Sequence, residues 1–134
     1  MPRSNTTKIR ISKEVHIAKA VYETHTFAAD IGFNVVKQNM IATAVSELAR
    51  NIFVYALKGE IIIKKLDREG MKGIQITAQD EGGGIQDIGL AMKDNYSTGD
   101  TLGLGLPGVK RLMDEFSFDD KRKIGTKITV KKWL

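Results

Sequence analysis

The sequence predicts an α+β fold in which helices cover one face of a mainly antiparallel sheet. Three observations carry this reading. The hydrophobic pattern runs strand, helix, helix, strand, strand, helix, strand, strand, without the alternation that a doubly wound parallel sheet requires. Two β-rich runs, EIIIKKLD and GIQITAQD, lie on either side of Arg68-Glu69-Gly70, a turn-forming spacing that pairs them as an antiparallel hairpin. A length of 134 residues leaves room for one domain, residues 1–134, large enough to bury about two-thirds of its unfolded surface.

Each element follows from local pattern. Residues 7 to 12 (TKIRIS) alternate polar and apolar, as a half-buried strand does, and the outward Lys8 and Arg10 suit a charged edge. From Glu14 to Ile31, Ile17, Val21, Ala28 and Ile31 recur at helical spacing, and Gly32 is a natural stop. Asn34 can cap a second helix to about Leu57, with Val36, Met40, Ala44, Leu48, Ile52 and Tyr55 as its apolar stripe and Gly59 as its end. The hairpin follows and closes on Asp80. Gly82, Gly83 and Gly84 come next, then a short helical stretch (QDIGLAM) and a polar segment, KDNYSTGDT, expected to be mobile. Pro107 suits the first turn of a third helix, which VKRLMDEF continues with Val109, Leu112, Met113 and Phe116 apolar. FSFDD, a KRKIG turn and TKITVKKW then form a second hairpin.

Composition narrows the chemistry. There are 21 Lys and Arg against 16 Asp and Glu, a formal charge of +5, which suits an acidic partner, a polyphosphate or nucleic acid. With no Cys, thiolate nucleophiles, disulfides and Cys metal sites are excluded, and two His are too few for a His cage, so any metal must sit on oxygen. No apolar run reaches the roughly 18 residues of a membrane span, and the first residues lack a signal-peptide apolar stretch, so a cytoplasmic location is expected.

Four local features could bear chemistry. Gly103-Leu104-Gly105-Leu-Pro-Gly108 matches GxGxxG literally, but polar residues precede it where a dinucleotide fold needs a strand, and no GxxxxGK[ST] occurs. What remains is a glycine-rich segment entering a helix, where backbone N–H groups can face an anion, or else a plain connector. Glu47 and Asn51, four apart on helix two, share a face. The pair reads either as a solvated surface or as a proton acceptor beside a Mg²⁺-holding amide oxygen. Asp80 at its strand end either starts a turn or accepts a hydrogen bond from an exocyclic amine, with the following glycines admitting a flat ring. Gly125-Thr126-Lys127 alone is an ordinary turn and strand start.

Their order carries more than any one of them. Glu47-Leu-Ala-Arg-Asn51, Asp80-Glu-Gly82-Gly-Gly84, Gly103-Leu-Gly105-Leu and Gly125-Thr126 resemble the N, G1, G2 and GT boxes of the GHKL ATPases over about residues 8 to 131. Within that superfamily, SELARN and DEGGGI on a bare domain resemble the RsbT-like serine/threonine switch kinases, relatives of the anti-sigma-factor kinases. The resemblance implies a Bergerat-type two-layer sandwich on a mixed, mainly antiparallel sheet, with ATP and Mg²⁺ as cofactors. It makes Glu47 the general base, Asn51 the Mg²⁺ ligand and Asp80 the holder of the adenine amine, supported by Thr126. Gly82 and Gly84 give the base room, Gly103, Leu104 and Gly105 line the phosphates, and residues 86 to 102 form a lid. It also implies STAS-domain substrates in a stressosome-type pathway and a PPM-type phosphatase activated downstream. Thr101 stands where many members begin the G2 box with glycine, so lid geometry is expected to differ. The chain has no F box and no phosphoacceptor-His domain; His16 and His25 read as ordinary residues of helix one. A second reading is a nucleotide-dependent sequestering module with little turnover. A nucleic-acid-binding domain is disfavoured because aromatics do not interleave the basic runs.

Overall fold

The structure is a computed structural model and describes residues 5–80, 105–119 and 125–134. Strand β1 (Thr6–Ile11) leads into helices α1 (Val15–Ile31) and α2 (Val35–Asn51), the latter continued by a π-helical turn over Ile52–Ala56. Strands β2 (Gly59–Arg68) and β3 (Met71–Asp80) follow, then helix α3 (Leu106–Leu112), β4 (Glu115–Asp119) and β5 (Lys127–Trp133). Among the described residues the strands form one sheet in the order β1-β2-β3-β5-β4, with all four pairings antiparallel. This is the α+β arrangement the sequence predicts.

The alternation of each strand sends one row of side chains toward the helices. Ile9 and Ile11, Ile61 and Ile63, Ile74, Ile76 and Ala78, and Ile128 and Val130 are all buried, and they meet Phe27, Ile41, Val45, Leu48, Leu106 and Val109 from the helical layer. Burying a branched aliphatic side chain stabilises by about 1.5–3 kcal/mol, so this two-layer seam is the main source of stability. Opposite faces of the same strands carry Lys8, Arg10, Lys64 and Gln75, polar and at least partly exposed.

Local signals set the boundaries. The Asn34 side chain accepts a hydrogen bond from Lys37 N at 2.8 Å as the N-cap of α2, and Gly32 (φ 118) closes α1 by donating to Ala28 and Ala29 carbonyls. His16, within α1, accepts at Nδ1 from the backbone N–H groups of Ser12 and Lys13 and so satisfies donors ahead of the helix start. The β2–β3 turn places Glu69 and Gly70 at positive φ, 53° and 89°, the two-residue geometry whose twist matches a hairpin.

Two boundaries and part of the buried faces differ from expectation. Helix α3 stops at Leu112: Met113 is extended, Asp114 N donates to Lys131 O, and Phe116 lies in β4 opposite Val130. The apolar spacing through Phe116 suited a helix, but pairing with β5 takes residues 115–119 instead. Second, Leu57 at φ 69 ends the helical run, while Gly59 already belongs to β2. Third, the expected stripes hold at Ala28, Ile31, Ala44, Leu48 and Ile52, all buried, but not throughout. Val36 is exposed at the start of α2, and Ala20, Thr24 and Phe27 rather than Val21 form the core face of α1. Expected features at residues 86 to 102, the short helix and the mobile segment included, and most of the KRKIG turn lie outside the described residues.

Candidate functional site

The inward row of β3 reads Ile74, Ile76, Ala78 and then Asp80, a carboxylate in a position the alternation reserves for apolar side chains. Asp80 is only 6% exposed, and burying a carboxylate requires hydrogen bonds to it. Thr126 N donates to Asp80 Oδ1 at 3.0 Å, while Asp80 N donates to Thr126 O at 3.0 Å. A reciprocal pair of bonds thus joins residues 46 positions apart and fixes the carboxylate where β3 ends and β5 begins.

Two glycines permit that approach. Gly125 has φ 78, and a Cβ there would meet the Asp80 carbonyl oxygen and come within 2.9 Å of Asp80 Oδ1. Gly59, register partner of Asp80, would bring a Cβ to 2.9 Å from both Asp80 Cα and Ile52 Cγ2. Read from sequence as a helix stop, Gly59 instead makes room behind the carboxylate.

Asp80 and Thr126 open into a small cleft of about 20 Å³, also lined by Leu48, Asn51, Ile52, Ala78 and Ile128. Its walls are apolar and its polar groups few and convergent, the usual make-up of a small-molecule site. Asn51, 6% exposed, reaches it from the last residue of α2, and the π-helical turn that follows places Ile52 on the same wall. Such turns commonly sit at functional sites because they re-aim side chains within a helix.

Glu47, one turn before Asn51, is half-buried and faces a different element. Gly105 caps α3 at φ 64, and a Cβ on it would collide with Glu47 Oε2 and lie 3.0 Å from Glu47 Cδ. Helix α2 therefore carries two polar groups on one face, Asn51 toward the Asp80 cleft and Glu47 against the glycine that starts α3.

The structure thus brings together Asn51, Asp80 and Thr126, and separately Glu47 and Gly105. Gly82, Gly84, Gly103 and Leu104, also expected to contribute, lie outside the described residues. Leu48, Ile52, Ala78 and Ile128 were not singled out as site residues. Their signal was their helical or alternating spacing next to a motif residue, which marks core and cleft wall alike.

Known proteins carry the same pattern. The Histidine kinase-like ATPase domain family matches residues 11–132. The chain is 49% identical over 126 residues to the Serine/threonine-protein kinase RsbT of Bacillus subtilis, covering 94% of this chain and 95% of that protein. It is 33% identical over 99 residues to an Anti-sigma F factor of Clostridium novyi, covering 70% of this chain and 69% of that protein. A third relative, the Anti-sigma F factor of Clostridium beijerinckii, is 28% identical over 127 residues and covers 91% and 89%. With that match over residues 11–132 and, among the described residues, a five-stranded antiparallel sheet, the chain belongs to the histidine kinase-like ATPase domain family, the GHKL group its four ordered boxes resemble.

Proposed function

We propose that residues 1–134 form a single ATP-binding kinase domain that phosphorylates Ser or Thr of STAS-domain partners, in a stressosome-type bacterial pathway, and activates a PPM-type phosphatase when released. The observation that carries the reading is the Asp80–Thr126 pair at the base of an apolar cleft. A buried carboxylate ordered by the Thr126 N–H is an acceptor with about four lone-pair sites, the chemistry an exocyclic amine needs. An adenine offers that amine, and Leu48, Ile52, Ala78 and Ile128 offer its ring an apolar slot.

Roles divide along α2. Asn51 would hold Mg²⁺ through its amide oxygen, a hard donor suited to that ion, and Mg²⁺ is commonly held by one or two protein oxygens plus phosphates. When bound, the ion supplies positive charge against the phosphates. Glu47 accepts the proton of the substrate hydroxyl as that oxygen bonds to the γ-phosphorus, while the bond from that phosphorus to the β,γ-bridging oxygen breaks and ADP leaves. Gly105, with Gly103 and Leu104, offers backbone N–H groups to the phosphates. Phosphoryl transfer is mostly positioning and charge stabilisation, so these parts suffice.

No helix among the described residues is long and apolar enough to cross a membrane. A cytoplasmic site of action fits that, and no nucleic-acid or membrane partner is proposed. The Anti-sigma F factor relatives favour a second reading, nucleotide-dependent sequestration with little turnover. Incubation with γ-labelled Mg-ATP and candidate STAS proteins decides between them: labelled Ser or Thr supports the kinase, whereas stable binding without label supports sequestration. If neither ATP nor ADP raises the melting temperature with Mg²⁺ present, both readings fail; a ligand at about 100 times its Kd should stabilise by roughly 2.7 kcal/mol.

A further inference from the structure

The inward row of β5 reads Ile128, Val130 and then Lys132, which is 5% exposed and lies opposite Ile74. A lysine here is as out of pattern as Asp80, and the described site does not use it. Its Nζ donates to the carbonyl oxygen of Leu112, the last residue of α3, at 2.8 Å, and lies 3.7 Å from Asp114 Oδ1. Asp114 is itself tied to β5: Trp133 N donates to its Oδ2 at 2.8 Å, and Asp114 N donates to Lys131 O at 2.9 Å. Lys132 therefore pins the C-terminal end of α3 to the sheet.

We propose that Lys132 is a positioning residue for the phosphate side of the nucleotide site, acting through α3 on Gly105 and Glu47. Helix α3 has seven residues, too few to be stable by itself, and its N-cap, Gly105, supplies no side-chain cap. Its placement is set by what it touches: α2 along its side, the core through Leu106 and Val109, and at its end Lys132 together with the Asp114 bonds to β5. A helix this short is about 10 Å long, so a shift at Leu112 is carried to Gly105 with little damping. Gly105 in turn lies against the Glu47 carboxylate with no room for a methyl group. A methionine of similar volume would fill the inward row, at some cost in stability because Asp114 and the Leu112 carbonyl would keep their places without the ammonium partner. What methionine lacks is a donor for the Leu112 carbonyl.

This inference rests on the nucleotide reading, and the experiment separates the two. Adenosine probes the Asp80 cleft and Mg-ATP adds the phosphates, so both affinities are measured by calorimetry on the full chain for wild type and Lys132→Met. The wild type should prefer Mg-ATP over adenosine. In Lys132→Met, Mg-ATP affinity should fall about tenfold, the upper end of one hydrogen bond's worth, while adenosine affinity stays within about twofold. A merely structural role would weaken both ligands in parallel, and that result, or no change in either, overturns the inference. Should the Met variant not fold, Lys132→Gln, whose amide donor falls about one bond short, must show the same selective loss for the proposal to stand. A wild type that binds adenosine and Mg-ATP equally would overturn the nucleotide reading and this inference together.

Discussion

Asp80 on β3 and Lys132 on β5 are both charged residues at inward positions of neighbouring strands, and the antiparallel register puts them at opposite ends of the sheet. The Asp80 end is built from backbone. The main chain of Thr126, which accepts from Asp80 N and donates to the Asp80 carboxylate, and the close approaches of Gly59 and Gly125 hold the carboxylate at the end of the strand ladder. The Lys132 end is built largely from side chains: Lys132 reaches the last carbonyl of α3, Asp114 ties the chain that follows to β5, and Leu106 and Val109 seat the helix in the core. A charge breaking a buried alternation thus marks a designed contact in both places, while its partners decide its task. One presents a rigid acceptor to a cleft; the other holds an adjustable element in position.

On that contrast, substitutions on the α2–α3 side should affect turnover more than fold, and those that break the backbone junction at the Asp80 end should affect fold and binding together. The largest effect is expected from Glu47→Gln, which keeps size and removes basicity. Phosphoryl transfer to a STAS partner should drop on the order of 10² to 10⁴-fold with near-normal ATP affinity, read from single-turnover label transfer and calorimetry. Wild-type transfer by this variant would reduce Glu47 to a packing residue of α2.

Gly125→Val tests the other end. It combines a Cβ pressed on the Asp80 carbonyl with a β-branched side chain at φ 78, so a loss of about 1–3 kcal/mol in chemical denaturation and loss of nucleotide-induced stabilisation are expected together. An intact melting response to ATP in this variant would show that the β3–β5 junction does not hold the base.

Asp80→Asn sharpens the contrast further, because the amide keeps an oxygen for Thr126 N and loses an acceptor toward the cleft. Stability should change little, while the preference for adenine over guanine nucleotides, compared by competition, should fall roughly tenfold. Unchanged base preference would assign recognition elsewhere. The smallest effect belongs to Arg68→Ala on the outer sheet face, where the guanidinium stacks 4.5 Å from the Trp133 ring centroid and sits 3.9 Å from a Glu115 oxygen. Arg68 is 59% exposed, so less than about 1 kcal/mol and no change in nucleotide binding are expected. A large binding defect there would mean the outer face couples to the cleft.

Much of this was legible in the residues. Asn34 and Gly32 announce their caps, the Arg68-Glu69-Gly70 spacing announces the hairpin, and the apolar periods announce which elements have a buried side. Where two periods overlap, legibility stops: Val109, Leu112, Met113 and Phe116 fit a helix, yet Phe116 and Phe118 also alternate, and only β5 as a neighbour decides for β4. The site was legible as an ordered set of boxes, because Glu47, Asn51, Asp80, Gly105 and Thr126 belong to motifs of recognisable order. Lys132 was not, since KKW in a terminal strand looks like a solvated face until the register shows which lysine points inward.

By itself, then, the sequence determined the α+β class, the hairpin turn, the helix caps and the residues that could carry phosphate chemistry, all of which depend on neighbours within a few positions. Tertiary structure decided which of them meet. Asp80 finds Thr126 across 46 residues, Gly105 finds Glu47 across 58, and Lys132 finds Leu112 across 20. Such pairings follow from strand register and from the seat of α3 on α2 and β5. Those are set by the sum of the buried contacts, a quantity no local window of the chain contains.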